Sequence, residues 1–420
     1  MNQLPLTDDT VIFGLLALCL GFVFYTSSIK TGFWKKFYAI VPAVLMCYLL
    51  PAVLTSTGLV SEKESNLYYV ASRYLLPAAL ILMTLSIDLK AIINLGSKAL
   101  IMFFTGTLGI IIGGPIAILI ISIFSPETVG GAGPDAVWRG LSTIAGSWIG
   151  GGANQAAMLE IFQYNPEKFG NMVLVDVFMA NVWMALLLLG IGRSNKIDRW
   201  LKADNSSIEA LKVKVSEYTA RIARVTSLHD LVMLLFFAFA GVGIAHFVGE
   251  HFSQFLQDNF EVIRNKQKAL SSLGSKFLWM VVTATAIGIG LSFTKAKNYE
   301  GAGASKIGGV FIYVLVATIG MKIDLSKVFE NPGLLAIGFI WIAIHAGLLI
   351  LVAKLIKAPY FFLAVGSQAN VGGAASAPVV AAEFHPSLTS VGVLLAVFGY
   401  VVGTAGAYIS ALLMEVASHV

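Results

Sequence analysis

A chain of 420 residues in which 57% of side chains are hydrophobic and 12% charged is too apolar for a soluble domain, where about 25% are charged, and reads as an integral membrane protein. The net charge of +5 comes without any basic run interleaved with aromatics, so a nucleic-acid surface is excluded and the positive residues are expected in cytoplasmic loops. Two cysteines, Cys19 and Cys47, both in apolar stretches, exclude a disulfide framework and a cysteine zinc site.

In chain order, apolar spans are predicted near 11–28, 37–57, 69–87, 99–124, 141–162 and 171–192, then near 229–248, 277–294, 307–322, 333–356, 361–384 and 389–416. Stretches of about 20 apolar residues point to helices and not to a barrel, with 11–13 transmembrane helices in all. Asp8 and Asp9 stand where a cleavable signal would carry positive charge, so the first helix is expected to stay. The division is a first half at 1–192, a polar amphipathic linker at 193–228 and a second half at 229–420.

The third spans end alike. Ile87-Asp88-Leu89-Lys90 is followed by Asn94-x-Gly96, and Ile323-Asp324-Leu325-Ser326-Lys327 by Asn331-x-Gly333. Asp88 and Asp324 read best as caps of the helices that follow.

The fifth spans carry the main signal. Residues 146–157 read Gly-Ser-Trp-Ile-Gly-Gly-Gly-Ala-Asn-Gln-Ala-Ala, and residues 366–378 read Gly-Ser-Gln-Ala-Asn-Val-Gly-Gly-Ala-Ala-Ser-Ala-Pro. Each interior glycine costs a helix about 1 kcal/mol relative to alanine, so both clusters should break their spans. Unwound backbone at bilayer depth is tolerated only against protein or a wet cavity. Matching breaks in corresponding places of two halves are a pointer to a transporter's site. With the third spans, they imply an internal duplication whose halves are expected to be inverted. Six spans per half would instead make them parallel. Lys30, Lys35, Lys36, Lys295, Lys297 and the basic linker all ask for the inside, which favours inverted halves with one crossing miscounted.

In the linker, Ser206 and Glu209 form a capping box, and Ile208, Leu211, Val215, Tyr218, Ile222 and Val225 follow at helical spacing. A connector on the membrane surface, with Lys212, Lys214, Arg221 and Arg224 toward headgroups, is expected; the alternative is a homodimer seam. Residues 251–276 are expected to form an interfacial helix plus loop.

The pattern of Met321-Lys322-Ile323-Asp324-Leu325, a long span and a glycine-broken span, with Gly146-Ser147-Trp148-Ile149-Gly150-Gly151-Gly152-Ala153-Asn154 as its specific part, resembles the YjcL-type bacterial membrane proteins, a domain family of unassigned function. That family looks like a branch of the superfamily of bile-acid:sodium symporters and cation:proton antiporters. The resemblance implies a panel and a core domain, two broken helices crossing in the core near mid-membrane, alternating access by relative movement, and a bacterial cytoplasmic (inner) membrane location. It supplies no substrate.

Half-helix N-termini favour anionic groups, and unwound carbonyls favour sodium. The candidate binding residues are Ser147, Gly151, Gly152, Asn154 and Gln155 in the first break, and Ser367, Gln368, Asn370, Gly372, Gly373 and Ser376 in the second. Asn154, Gln155 and Asn370 are the candidate sodium ligands; no other cofactor is expected. Asp176, alone inside an apolar run, is a functional carboxylate by default, since a charge at a helix centre costs about 2.5–3.5 kcal/mol. It stands where antiporters of the resembling superfamily carry a titrating aspartate. His345 is read as a packing residue, Arg73 as a snorkelling side chain, and Glu160 and Glu383 as solvated residues closing the broken spans. The expected function is secondary transport of a small polar, anionic solute coupled to sodium; the alternative is cation:proton antiport through Asp176. A passive channel or an intramembrane enzyme is less favoured, because no nucleophile-base pair, metal cluster or carboxylate pair is visible.

Overall fold

The computed structural model describes residues 5–38, 41, 43–61, 63–86, 92–93, 95–204, 208, 225–264, 273–325, 331–385 and 388–419. Among them the chain is helical throughout, apart from one bridge between Leu6 and Val60. The principal helices are α1 (Asp9–Ser27), α2 (Gly32–Tyr38), α3 (Ala43–Ser56), α4 (Leu67–Leu85), α5 (Ser97–Phe124), α6 (Val137–Ile161), α7 (Phe169–Ile191), α8 (Ser194–Leu201), α9 (Leu228–Asn259), α10 (Lys276–Ser292), α11 (Ala304–Gly320), α12 (Gly333–Leu355), α13 (Tyr360–Val371), α14 (Gly373–Phe384) and α15 (Thr389–Ala417). Seven of the described helices are long and apolar enough to cross a membrane: α1, α4, α5, α9, α12, α15 and the stretch holding α7.

Sequence explains most boundaries. Asp8 caps α1 through the amides of Thr10 and Val11, at 2.8 and 3.0 Å. A capping box between Ser227 and Asp230 starts α9, which runs unbroken to Asn259. Residues 251–259 therefore extend this helix, and Ser253 ties its end to the Gly274 carbonyl at 2.6 Å. The helix predicted over the linker, with its capping box and homodimer seam, lies almost wholly outside the described residues, as does Asp88.

The helices pack as two groups. One holds α1, α3, α4, α9, α10 and α11; the other holds α5, α6, α7 and α12 to α15. Each half of the chain thus gives its first three spans to one group and its last three to the other. Few helices meet across the boundary, chiefly α4 and α10 against α6 and α15. Inside the second group, α5 and α12 approach closely because glycines line the seam: a Cβ on Gly109 would stand 3.0 Å from the His345 Cα, and one on Gly113 would stand 2.5 Å from the Trp341 ring.

Both glycine-broken spans turn back on themselves. In a straight helix Trp138 and Phe162 would be about 36 Å apart. Their ring centroids are 5.4 Å apart, and the Arg139 guanidinium donates to the Phe162 carbonyl. The chain reverses at Gly151, whose φ of 73° and ψ of −173° suit glycine alone. The second span does the same: Phe361 and Phe384 would be about 34 Å apart in one helix but lie 5.3 Å apart, and the turn falls at Gly372 and Gly373, the latter with φ of 56°.

The predicted interruptions are therefore present at both glycine clusters, but their angle makes hairpins of them. This removes one crossing from each half. By length and apolarity the described helices give seven crossing segments, or up to nine if α2 with α3 and α10 with the turn after it each count as one; α11 is shorter.

The hairpins enter from opposite ends of the molecule. Both ends of α6 lie beyond the C-terminus of α5, where Asn165 donates to Asp135 at 2.7 Å. Both ends of α13–α14 lie at the N-terminus of α5, where Lys98 donates to the Lys357 carbonyl at 3.3 Å and the Tyr360 amide to Asp198 at 2.7 Å.

Candidate functional site

The two hairpin tips meet on α15. A Cβ on Gly399 would stand 2.6 Å from the Ile149 carbonyl oxygen and 3.7 Å from that of Ala369, so the carbonyls just ahead of both reversals lie within 4 Å of one point. Four residues on, a Cβ on Gly403 would come within 2.6 Å of both the Gly150 Cα and the Asn154 amide nitrogen. Small residues on α15 are what let both tips reach it. Each tip joins the carbonyl end of one half-helix to the amide end of the next, so partial charges of both signs converge here.

The two asparagines hold their hairpins in closely similar ways. Asn154 donates to the Gly150 carbonyl at 2.8 Å and accepts from Thr404 of α15 at 2.5 Å. Asn370 donates to the Gly366 carbonyl at 2.9 Å and accepts from Thr107 of α5 at 2.8 Å. It also donates to the Phe103 carbonyl at 3.0 Å. Both side chains are fully buried. Satisfying buried amides in this way fixes the path of the backbone beside each turn.

Asp176 lies on α7, buried against α6. It accepts from the Trp148 indole and the Gln155 amide, each at 2.8 Å, and the Ser147 hydroxyl is a further partner. Ser147 and Trp148 precede the Gly151 turn, whereas Gln155 follows it. One carboxylate therefore clasps both legs of the first hairpin. Gln155 in turn accepts from Tyr48 of α3 at 3.2 Å, a polar link between the two helix groups.

The second hairpin is held by Ser367. Its hydroxyl receives the Trp183 indole N–H at 2.7 Å and lies 2.7 Å from His345 Nε2. His345 Nδ1 is 3.0 Å from the Gly106 carbonyl, which can only accept, so Nδ1 carries the proton and Ser367 donates to Nε2. The bland reading of His345 thus fits its surroundings.

Of the candidate sodium ligands, Asn154, Gln155 and Asn370 each have their oxygen engaged by a hydroxyl. The open oxygen is on Gln368: its amide donates to Ser376 at 2.7 Å, while Oε1 is buried with no hydrogen-bond partner among the described residues. Ser147, Gly151, Gly152, Gly372 and Ser376 are half-buried and form the accessible rim of the tips, whereas Gly373 is buried. Tyr400 of α15 borders this rim, its ring 3.3 Å from where a Gly151 Cβ would be. Among the described residues no group of three His, Cys, Asp or Glu side chains could hold a metal ion.

At the far end of the first hairpin, Glu160 is paired with Arg73 at 2.8 Å and also bonded to Tyr68. It was expected to be solvated; it instead bridges the two helix groups, and Arg73 is its partner. Glu383, by contrast, is exposed. Sequence reasoning missed Trp183, Thr107, Thr404 and Tyr48, all of which come from other helices and carry no motif.

The chain is 24% identical, over 417 residues and 96% of both chains, to an uncharacterized membrane protein, YjcL, of Bacillus subtilis (strain 168). The family model described as "Protein of unknown function (DUF819)" matches residues 12–416, and with nearly the whole length covered, the chain belongs to that family of integral membrane proteins.

Proposed function

We propose that this protein is a secondary active transporter that moves a small polar solute bearing an anionic group, coupled to sodium entry. The observation that carries the reading is the meeting of two glycine hairpin tips, inserted from opposite ends of the molecule, at Gly399 of α15. Such tips bring amide ends to an anionic group and carbonyl ends to a cation without any charged ligand. Gln368 Oε1, Ser376, Ser147 and the backbone of Gly151, Gly152 and Gly372 are the groups with capacity left for cargo. Asn154, Gln155 and Asn370 are one bond behind them and add oxygen ligands where a hydroxyl partner gives way.

The thin contact between the helix groups supports alternating access by sliding one against the other. Lys30, Lys35, Lys36, Lys98, Lys295, Lys297 and Lys357 gather at the end from which the second hairpin enters, so that end is assigned to the cytoplasm of an inner membrane.

Cation:proton antiport through Asp176 is the competing reading, favoured by a carboxylate buried at bilayer depth. Its three donors from both legs of α6 give it a sufficient structural task, so symport leads. An intramembrane enzyme has its nearest approach in Ser367 with His345, but both are fully buried and the serine hydroxyl is covered by Trp183.

Uptake into proteoliposomes under a sodium or a proton gradient, imposed separately, tests the proposal. Sodium-driven uptake that falls in Gln368→Ala and Asn154→Ala but survives in Asp176→Asn is expected. Uptake driven by protons alone and abolished in Asp176→Asn would replace symport by exchange, and flux without any gradient dependence would make the protein a channel.

A further inference from the structure

A second candidate site lies away from the tips, at the outer end of the first hairpin. A cavity of about 900 Å³ opens there between the helix groups, beside Trp138, Arg139, Phe162, Phe277, Met280 and Glu415. It is some ten residues, or about 15 Å of helix, from the Gly151 turn.

The charges around this cavity are nearly all matched. Arg73 is paired with Glu160 at 2.8 Å and stacks on Phe277 with 4.5 Å to the ring centroid; Lys276 is paired with Glu250. Arg139 and Glu415, which both line the cavity, attract each other but form no ion pair. Arg139 spends one terminal nitrogen on the Phe162 carbonyl and lies over the Trp138 ring at 4.8 Å, while its Nε is buried with no hydrogen-bond partner among the described residues. Glu415 Oε2 is buried and equally unpartnered. A cationic and an anionic side chain therefore border the same cavity, next to apolar walls, without closing on each other. Both side chains are half-buried, which leaves part of each open to the cavity. A ligand carrying both charges satisfies the pair, whereas a simple anion or cation answers only half of it.

We infer that this cavity is an outer binding site for a zwitterionic small molecule with an apolar body, its carboxylate on Arg139 and its ammonium on Glu415. The chemistry is that of a free α-amino acid or short peptide with an apolar side chain, which Trp138, Phe162, Phe277 and Met280 would cover. The placement deepens the transport reading, since such a solute also has the anionic group that the tips would receive. The binding itself does not depend on that reading.

The test is binding to the purified full-length protein in detergent, read as thermal stabilisation and by isothermal titration. The probes are leucine, phenylalanine and their dipeptides, set against isocaproate, which is leucine without its amine, and leucinamide, which lacks the carboxylate. Stabilisation by at least one zwitterion, with binding about tenfold tighter than either single-charge analogue, is expected. Glu415→Gln should weaken that zwitterion about tenfold and leave isocaproate unchanged, erasing the preference; Arg139→Lys should weaken both acids together. Equal binding of isocaproate, no binding of any zwitterion, or an unaltered preference in Glu415→Gln overturns the inference. Uptake in the same preparations separates the two claims: binding without transport leaves this site standing and removes the carrier, and transport without binding does the reverse.

Discussion

Asp176 and Trp183 sit seven residues apart on α7, within about 20° of the same helix face, and each grips a different hairpin: the carboxylate accepts from Trp148 and Gln155 of α6, and the indole donates to Ser367 of α13. One helix thus sets the relative position of both tips. Loosening either grip should be felt at the other.

Asp176→Ala leaves the Trp148, Gln155 and Ser147 donors buried and unmatched. A loss of about 3 kcal/mol is expected, with a loss of about 1 kcal/mol for Asp176→Asn, which keeps one acceptor. Unfolding in detergent measures both. An alanine variant as stable as wild type would show that the clasp across the Gly151 turn carries no energy.

The reversal of the broken spans is open to labelling from each side. With Cys19 and Cys47 replaced by serine, Ala132→Cys and Gln163→Cys should react with an impermeant thiol reagent from one side of the membrane. Lys357→Cys and His385→Cys should react from the other. Ala132→Cys and Gln163→Cys labelled from opposite sides would mean that α6 crosses the bilayer.

Gly151→Ala must hold an alanine at φ 73° and ψ −173°, a conformation that costs a residue with a Cβ about 1–3 kcal/mol. The variant should fold with lowered stability and lose uptake, because the tip itself must move. Gly403→Ala is expected to be worse, since its Cβ would press on the Gly150 Cα at 2.6 Å and force α15 away from the hairpin. Comparison of melting temperatures decides the order.

Thr107→Val and Thr404→Val each remove one hydroxyl donor from a buried asparagine while keeping the side-chain volume. Each should cost about 0.6–1 kcal/mol, and the two should add, because they serve different hairpins. A double variant far less stable than the sum would show that the tips fold as one unit.

Gln368→Met keeps the bulk at its position and removes the unpartnered oxygen. Since the bond to Ser376 is lost too, a KM for uptake raised about tenfold with a stability loss of no more than about 1 kcal/mol is expected. A stability loss without a KM change would return Gln368 to the scaffold.

The span boundaries were legible because apolar runs bounded by polar residues set them directly, and the glycine clusters at Gly151 and at Gly372 and Gly373 announced where regular helix must stop. The angle of those stops was not legible. Whether a chain bends or reverses at Gly151 depends on contacts such as Trp138 with Phe162 and on Asp176 arriving from α7, all invisible to local pattern. Asn154 and Asn370 were recognisable as polar residues at depth, but the threonines that occupy their oxygens lie more than 200 residues away in sequence.

Because a single glycine of α15 lies against the carbonyls ahead of both turns, neither tip can withdraw from that helix alone. Cargo lodged between them would travel as a passenger with the whole second group of helices. Its release would then wait for α4 and α10 to slide past α6 and α15, not for a loop to lift, and turnover should accordingly slow in stiff, ordered lipid.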